Sequence, residues 1–562
     1  MSHLKENISD LSWQVRFVVD NAWRLIHSQD RNPLSPSYGS YDTSYWRDKK
    51  SEFSDIRMQE AGAALGLLLH NKIYQRYNKI LPPKELLSLS VKIGFAFLKK
   101  CQYKNGTFDE WYKGERGFAA TEFPLVAFVL FALLVKKIDR ELKKEIINTF
   151  QVSVDWLCKN SDIIKSNHEM AAIAGIAAYG TLTNNIKYKR KAKEKFEKLL
   201  SRRDINGWFP EIGGLDLGYC CVFLDYLQIY KYYTPKFKYD HIINDLVNFI
   251  CDHINPNTTI HEETGICLNS YMSRFGMVMS SELNEKAKNL KIFWENHTLK
   301  EIGVEPILAD DLRFHRWAYL PLITFLMTPK TTKKKKFKCE KDRPFGWNSL
   351  ANTGIAIYKS KNIFISLAAA SGGHMQIFLN NKILGEIKPP LFKFKNKLLS
   401  TTGYENQIII DCSSRVASFT CNLITPAFFF PSLLQRLILR FLCINPFLSK
   451  KIRQFIDGRR LRYKTAINQS AGTFKSKSTK IKARTTISVI NDDDLHLEYL
   501  IGPLTGGKKI DMELSGRIHN NYYKKNRSLS FKPRSNENYI LCNFNVSFSG
   551  KIKDLNLSLK NI

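Results

Sequence analysis

Paired cysteines are missing from this chain of 562 residues. Its 11 Cys are scattered without CxxC spacing, and some sit in apolar runs such as Phe441-Leu442-Cys443. That pattern excludes a disulfide framework or a zinc ribbon and points to reduced, mostly buried thiols. The amino-terminal MSHLKENISDLSWQ lacks a basic region followed by an apolar core, so no signal peptide is expected. No stretch reaches the roughly 18 uninterrupted apolar residues of a spanning helix. Acidic residues are scarce too: 52 Asp and Glu face 85 Lys and Arg, a formal charge of +33. Such an excess is either a solvated basic surface or an attraction to a polyanion. The polyanion could be nucleic acid, anionic lipid or an acidic polysaccharide. The basic residues are dispersed and form no nucleic-acid motif beyond the run Lys333 to Lys336, which reads as a linker, so nucleic acid is not expected.

What is present is a helical period. Between about residue 10 and 328, apolar residues return at three- and four-residue spacing in 56–72, 84–100, 121–137, 144–158, 168–180, 190–200, 217–232, 240–253 and 312–327. Short polar, Gly, Pro and Asn connections separate these stretches, with no strand between them, which predicts a helical array or toroid. The apolar run from Pro124 to Val135 is too short to cross a membrane and reads as an inner core helix. PKTTKKKKFKCEKDRP then marks a boundary, a Lys-rich linker at 329–345. Beyond it, GIAIYKS, NIFISLAA, HMQIFLN, QIIIDC, ASFTCNL, TTISVIN, LHLEYLI and YILCNFNVSFSG alternate with period two. These predict an antiparallel β-sandwich over 346–562. The expected class is α+β multidomain, with an all-helical domain at 1–328 and a β-domain after it. One insertion, at about 426–465, sets Arg436, Arg440, Lys450, Lys451 and Arg453 among Leu and Phe as a basic amphipathic helix pair. It either packs on the sandwich or contacts an anionic membrane peripherally.

Polar constellations interrupt the helices at Asp30–Lys49, Asn105–Phe123, Ser166–Met170 and Asn206–Leu227. Aromatic faces beside carboxylates and Arg suit a sugar-binding cleft, although any single Trp can equally plug a helix end. Asn167 is also placed to cap the helix that follows, with Glu169 in its first turn.

The wording DRNPLSPSYGSYD, NGTFDEWYKGERGF, NHEMAAIAG, GWFPEIGGLDLGY and DDLRFHRWAYLP resembles the heparinase II/III-like family of bacterial polysaccharide lyases, in the subgroup of capsule and exopolysaccharide loci. The likeness runs through the helical domain and, more thinly, into SLAAASGGHMQIFLNN. It implies an (α/α) toroid followed by an antiparallel β-sandwich. It also implies β-elimination on a uronic-acid polysaccharide, in which donors neutralise the sugar carboxylate while a base takes the neighbouring proton. Asn167 then matches the neutralising amide, with His168 beside it as donor or base. Tyr219 matches the catalytic tyrosine, and His374 a histidine that the β-domain lends to the cleft. A tyrosinate needs nearby positive charge, from Arg274 or His374. Trp111, Arg116, Trp208, Glu211 and Arg274 are the expected substrate-binding residues.

No organic cofactor is required, and no metal is expected because the family's His/Asp pattern is thin around His374. Two departures, Ile212 in place of an aromatic and the loss of a Gly-Ser-Arg-Asn run near Arg274, leave open a non-catalytic glycan-binding relative. A hydrolase using Asp109 or Glu110 with Glu211 is a third reading. The missing signal favours a cytoplasmic or membrane-associated location, whereas the substrate class suggests the periplasm. The oligomeric state is not legible.

Overall fold

The computed structural model describes residues 13–265, 269, 271–272, 274–296, 310–328, 344–350, 353–394, 397–401, 408–425, 432–449, 451–452, 454–455, 477–491, 494–502, 510–518, 521–525 and 540–547. Most of the Lys-rich linker (329–343), Lys450, Arg453 and much of the insertion lie outside these residues.

Helices come first: α1 (Trp13–Asp20), α2 (Ala22–His27), α3 (Thr43–Trp46), α4 (Glu60–Leu68), α5 (Asn71–Tyr77), α6 (Lys84–Cys101), α7 (Ala119–Leu134) and α8 (Arg140–Lys159). There follow α9 (Ser166–Leu182), α10 (Ile186–Leu200), α11 (Leu217–Tyr232), α12 (Asp240–His253), α13 (Phe275–Ser280), α14 (Glu285–Asn296), α15 (Asp311–Trp317) and α16 (Tyr319–Met327). Their contacts close into a ring in which α4 meets α7, α7 meets α9, α9 meets α11, α11 meets α13, α13 meets α16 and α16 returns to α4. This is the arrangement of an (α/α) toroid.

Composition decides which helices line the ring. α4 is buried at every position, and α9 from Ser166 to Gly180. Such helices have no wet face to keep polar, so they read as apolar or small all round. Small residues let the backbones approach; a Cβ on Gly175 of α9 would lie 3.0 Å from Leu125 of α7. By contrast α8 buries Leu142, Ile146, Phe150, Val154 and Leu157, one stripe at helical spacing, and turns its charges to water.

The strands are β1 (Gly346–Leu350), β2 (Ile355–Lys359), β3 (Ile363–Ala368), β4 (His374–Leu379), β5 (Lys382–Ile387), β6 (Leu391–Phe394) and β7 (Lys397–Ser400). After them come β8 (Asp411–Cys412), β9 (Val416–Thr425), β10 (Lys477–Val489), β11 (Asp494–Gly502), β12 (Ile510–Ile518), β13 (Asn521–Lys525) and β14 (Ile540–Ser547). All pairings are antiparallel, in the order β1-β2-β3-β4-β5-β12-β6-β7-β9-β10-β11-β14, with β13 on β12 and β8 on β9. β12 joins the two halves by pairing with β5 at one end and β6 at the other. One apolar core collects Ile365 and Met375 from the first half with Phe419, Ile487 and Leu497 from the second.

Between β9 and β10 the insertion forms α17 (Leu433–Cys443). The helical and β parts meet through side chains. Ile355 of β2 belongs to the helical core, and Asn255 Nδ2 donates to Gln376 Oε1 at 3.0 Å.

Candidate active site

The start of α9 is built by a loop more than forty residues away. Lys165 and Gly214 each bridge Glu211, Ile212 N–H donates to Ile164 O at 3.1 Å, and Ser166 Oγ donates to Pro210 O at 2.7 Å. To make this turn Ile212 takes φ 50°, a left-handed conformation that costs a β-branched residue about 1–3 kcal/mol. The turn delivers the Glu211 carboxyl to the helix end, where it accepts the Asn167 backbone N–H at 2.7 Å.

Asn167 therefore does not cap the helix with its side chain, contrary to the sequence expectation. Lys165 holds the cap position without a side-chain bond, and Glu211 does the capping. This releases the Asn167 amide: the residue is 1% exposed, and neither Nδ2 nor Oδ1 has a partner. An unmade buried hydrogen bond costs roughly 1–3 kcal/mol and calls for a ligand or a functional reason. Burial also pushes the Glu211 carboxyl well above its usual range, and the Asn167 N–H only partly opposes it, which favours the neutral acid beside that amide.

His168 faces the ring interior. Its Nδ1 lies 3.4 Å from Asp162 and 3.7 Å from Glu122, and its ring meets Phe123 edge-on. Burial lowers its pKa to about 4, with Lys165 adding to the shift and Asp162 opposing it, so the imidazole is neutral at ordinary pH. Burial conversely raises the Glu122 carboxyl well above its usual range. Around this pair runs a polar layer. Arg57 binds Glu60 at 2.9 Å and lies over the Phe123 ring, while Arg316 binds Glu110 at 2.9 Å and also Asp55. Tyr226 and Tyr319 share a hydroxyl bond of 2.9 Å. Thus the starts of α4, α7 and α9 converge at one end of the ring, where helix dipoles favour negative charge.

Tyr219 is the third residue of the adjacent inner helix α11; it is half-buried, and its N–H donates to the N-cap Asp216 at 2.9 Å. Gly265 packs on Asp216 and Asn269 on Gly218, so the segment after α12 lies against this helix start. The same segment carries His261. Its Nε2 meets Nδ1 of His374, the first residue of β4, at 2.7 Å, and its Nδ1 meets Ser366 Oγ at 3.0 Å. Burial lowers His374 to about 3, with Lys388 adding to the shift. His261 is lowered too, by burial and by His374. An uncharged His374 cannot supply the cation expected to stabilise a tyrosinate. The other expected cation, Arg274, lies at the cap of α13 and is stacked 4.9 Å over Trp294.

The other candidates scatter. Trp111 is 58% exposed. Arg116 lies over the Tyr103 ring, and its Nη1 donates to Cys443 O at 3.1 Å. Trp208 is buried and stacks on Phe249, so its faces are not open to a sugar. The hydrolase pair fits poorly. Asp109 accepts from Tyr103, Gly114 and Arg116, and although burial works against it, Arg316 and Arg57 hold Glu110 below the usual carboxylate range. A separate cavity of about 420 Å³, lined by Arg203, Asp245, Asp252 and Leu350 among others, contains none of the expected site residues. His261, Glu122 and Arg57 were not anticipated. Glu122 lies within the polar stretch Asn105–Phe123 and His261 shortly before Arg274, but no spacing marks either. Among the described residues no cluster of three or more His, Cys, Asp or Glu could hold a metal.

Comparison with solved structures explains the architecture. The chain is similar to the Streptomyces coelicolor chondroitin AC lyase solved with chondroitin sulphate, with TM-score 0.53 and 10% identity over 91% of this chain and 69% of that one. Several of the solved structures it resembles are polysaccharide lyases, and one is an unsaturated glucuronyl hydrolase. Weaker likenesses are to a heparinase III (TM-score 0.42, 9% identity, 96% and 76% covered) and to the heparan sulfate lyase HepC of Pedobacter heparinus in its unmutated form (0.39, 9%, 95% and 75%). At these identities the likeness concerns the fold. No protein-family model matches the chain, and no curated protein sequence matches it.

Proposed function

We propose that this protein is a heparinase II/III-like polysaccharide lyase, with a toroid domain at 1–328 and a β-sandwich at 346–562, that cleaves an acidic, uronic-acid-containing bacterial surface polysaccharide of the capsule or exopolysaccharide kind. The observation that carries this reading is the unpartnered, buried Asn167 amide at the start of an inner helix. A uronate carboxylate at that point gains the Nδ2–H donor and the positive end of the helix. Burial, by favouring the neutral form of Glu211, lessens its repulsion of that carboxylate.

Withdrawal of carboxylate charge stabilises the enolate-like state that forms when the proton next to the carboxylate leaves. Tyr219, on the neighbouring helix, takes that proton or returns one to the departing glycosidic oxygen, with Arg274 favouring its ionised form. His168, being neutral, serves as a donor or base rather than as a cation. His374 closes the site from the β-domain with His261 fixing its ring.

The full chain incubated with uronic-acid polysaccharides, bacterial capsules included, is expected to release an unsaturated uronate, read by ultraviolet absorbance. Asn167→Ala and Tyr219→Phe are each expected to lower kcat by about 10²–10³-fold. No product across a broad panel sinks the proposal, and full activity in Tyr219→Phe removes that residue from it. A catalytically degenerate glycan-binding component of capsule or exopolysaccharide assembly is the second reading, motivated by Ile212 in place of an aromatic and by the loss of the Gly-Ser-Arg-Asn run near Arg274. It predicts glycan binding without product, unaffected by either substitution.

A further inference from the structure

α17 inverts the usual rule for a surface helix. An amphipathic helix normally turns its apolar stripe inward. Here Leu433, Leu437 and Phe441 recur at helical spacing and are all exposed, Phe441 by 75%, with Leu434 and Ile438 exposed beside them. Ile444 and Phe447 extend the patch past the helix end. A contiguous apolar surface of this kind on a folded protein marks an interaction site.

The helix is firmly built. Ser432 and Gln435 form a reciprocal capping box at its start. Its far end is anchored to the helical domain. Cys443 is buried, its carbonyl accepts from Arg116, Ser449 Oγ donates to Gly114 O at 2.7 Å, and Arg440 pairs with Glu52 at 3.0 Å. Gly114, at φ 81°, permits this close approach, since a Cβ there would lie 2.7 Å from Cys443 O. The apolar residues are therefore held outward on a fixed base.

Charge selects the occupant. Across 426–465 the sequence has nine Lys or Arg and a single acid, Asp457. Arg436 and Arg440 are exposed on α17 itself. Arg beside Leu and Phe on a short helix is the composition of a segment that lies in a lipid headgroup layer. Eleven residues span about 16 Å, far short of the roughly 30 Å hydrocarbon core, so the helix lies on a bilayer rather than crossing it. A second copy is disfavoured by the repulsion between two chains of formal charge +33.

We propose that α17 docks the protein on an anionic membrane surface, with Leu437 and Phe441 inserted at headgroup depth and the exposed Arg436 and Lys451 paired with lipid phosphates. This surface is independent of the cleavage reaction.

The test is co-sedimentation of the full chain with vesicles of phosphatidylcholine, with and without phosphatidylglycerol. Binding is expected only with the anionic lipid, weakening as salt is raised. Leu437→Ser combined with Phe441→Ser, and separately Arg436→Glu, are each expected to reduce the bound fraction on the order of tenfold. These side chains are exposed, and an unchanged melting temperature verifies folding. Failure of the native chain to sediment with anionic vesicles overturns the proposal, as does undiminished binding of both variants. A dimer dispersed by the double substitution, without vesicle binding, makes a second copy the occupant and also overturns it.

Discussion

At the start of α9, Glu211 and Asn167 divide a task that one residue performs at most helix ends. Glu211 accepts the backbone N–H, and the Asn167 side chain is spared. Because burial favours the neutral form of Glu211, Glu211→Gln should preserve the acceptor without removing a charge, leaving the melting temperature nearly unchanged. Glu211→Ala removes the cap and should cost about 0.5–2 kcal/mol in urea denaturation. If Gln costs as much as Ala, Glu211 is ionised in the fold and the division of labour is wrong. Asn167 and His168 stood out in the sequence as adjacent polar residues opening an apolar helix, and both are buried at that helix start. The role of Glu211 was not, because it depends on a left-handed turn at Ile212 that a β-branched residue rarely adopts. His261 was hidden for another reason. A single histidine acquires meaning only when a strand from the other part of the chain brings His374 to it.

Among elements, the long helices were legible because their apolar stripes repeat over several turns, and α12 falls where the period placed it, at Asp240–His253. The run expected over 312–327 is instead two helices, α15 and α16, parted at Ala318. In the β part, QIIIDC yields only the two residues of β8, while β5, KILGEI, lacks clean alternation and is placed by pairing between β4 and β12. The ring also reverses a familiar propensity. In an exposed helix Gly→Ala gains up to about 1 kcal/mol. In α4 a Cβ on Gly66 would lie 2.6 Å from the buried Phe131 ring of α7. Overpacking costs typically about 1–3 kcal/mol, so crowding wins and Gly66→Ala should lower the urea midpoint. A raised midpoint would falsify this account of how α4 and α7 pack.

For the whole molecule, buried histidines set an acid limit. Burial holds His168 and His315 at about 4 and His374 at about 3, against an ordinary 6.5. Between those values the unfolded chain binds protons that the folded chain refuses, so stability falls as pH drops from 6.5 toward 4. Glu122 and Glu211 work the other way. Their raised values favour the fold at low pH, and that contribution fades as pH rises above the ordinary 4.5. His315, wedged between Ser28 Oγ and the Asp311 carbonyl, lies outside the proposed site and isolates the first trend. His315→Gln should flatten the fall in melting temperature over pH 6.5 to 4, and an unchanged slope assigns the acid limit elsewhere. The closed ring has a consequence for how the chain is made. α4 finds its last neighbour in α16, at the far end of the helical half. During synthesis α4 leaves the ribosome long before α16, so its unpaired flank stays in water through most of translation. The nascent protein is an open arc with sticky ends, and that interval is when a chaperone has something to hold.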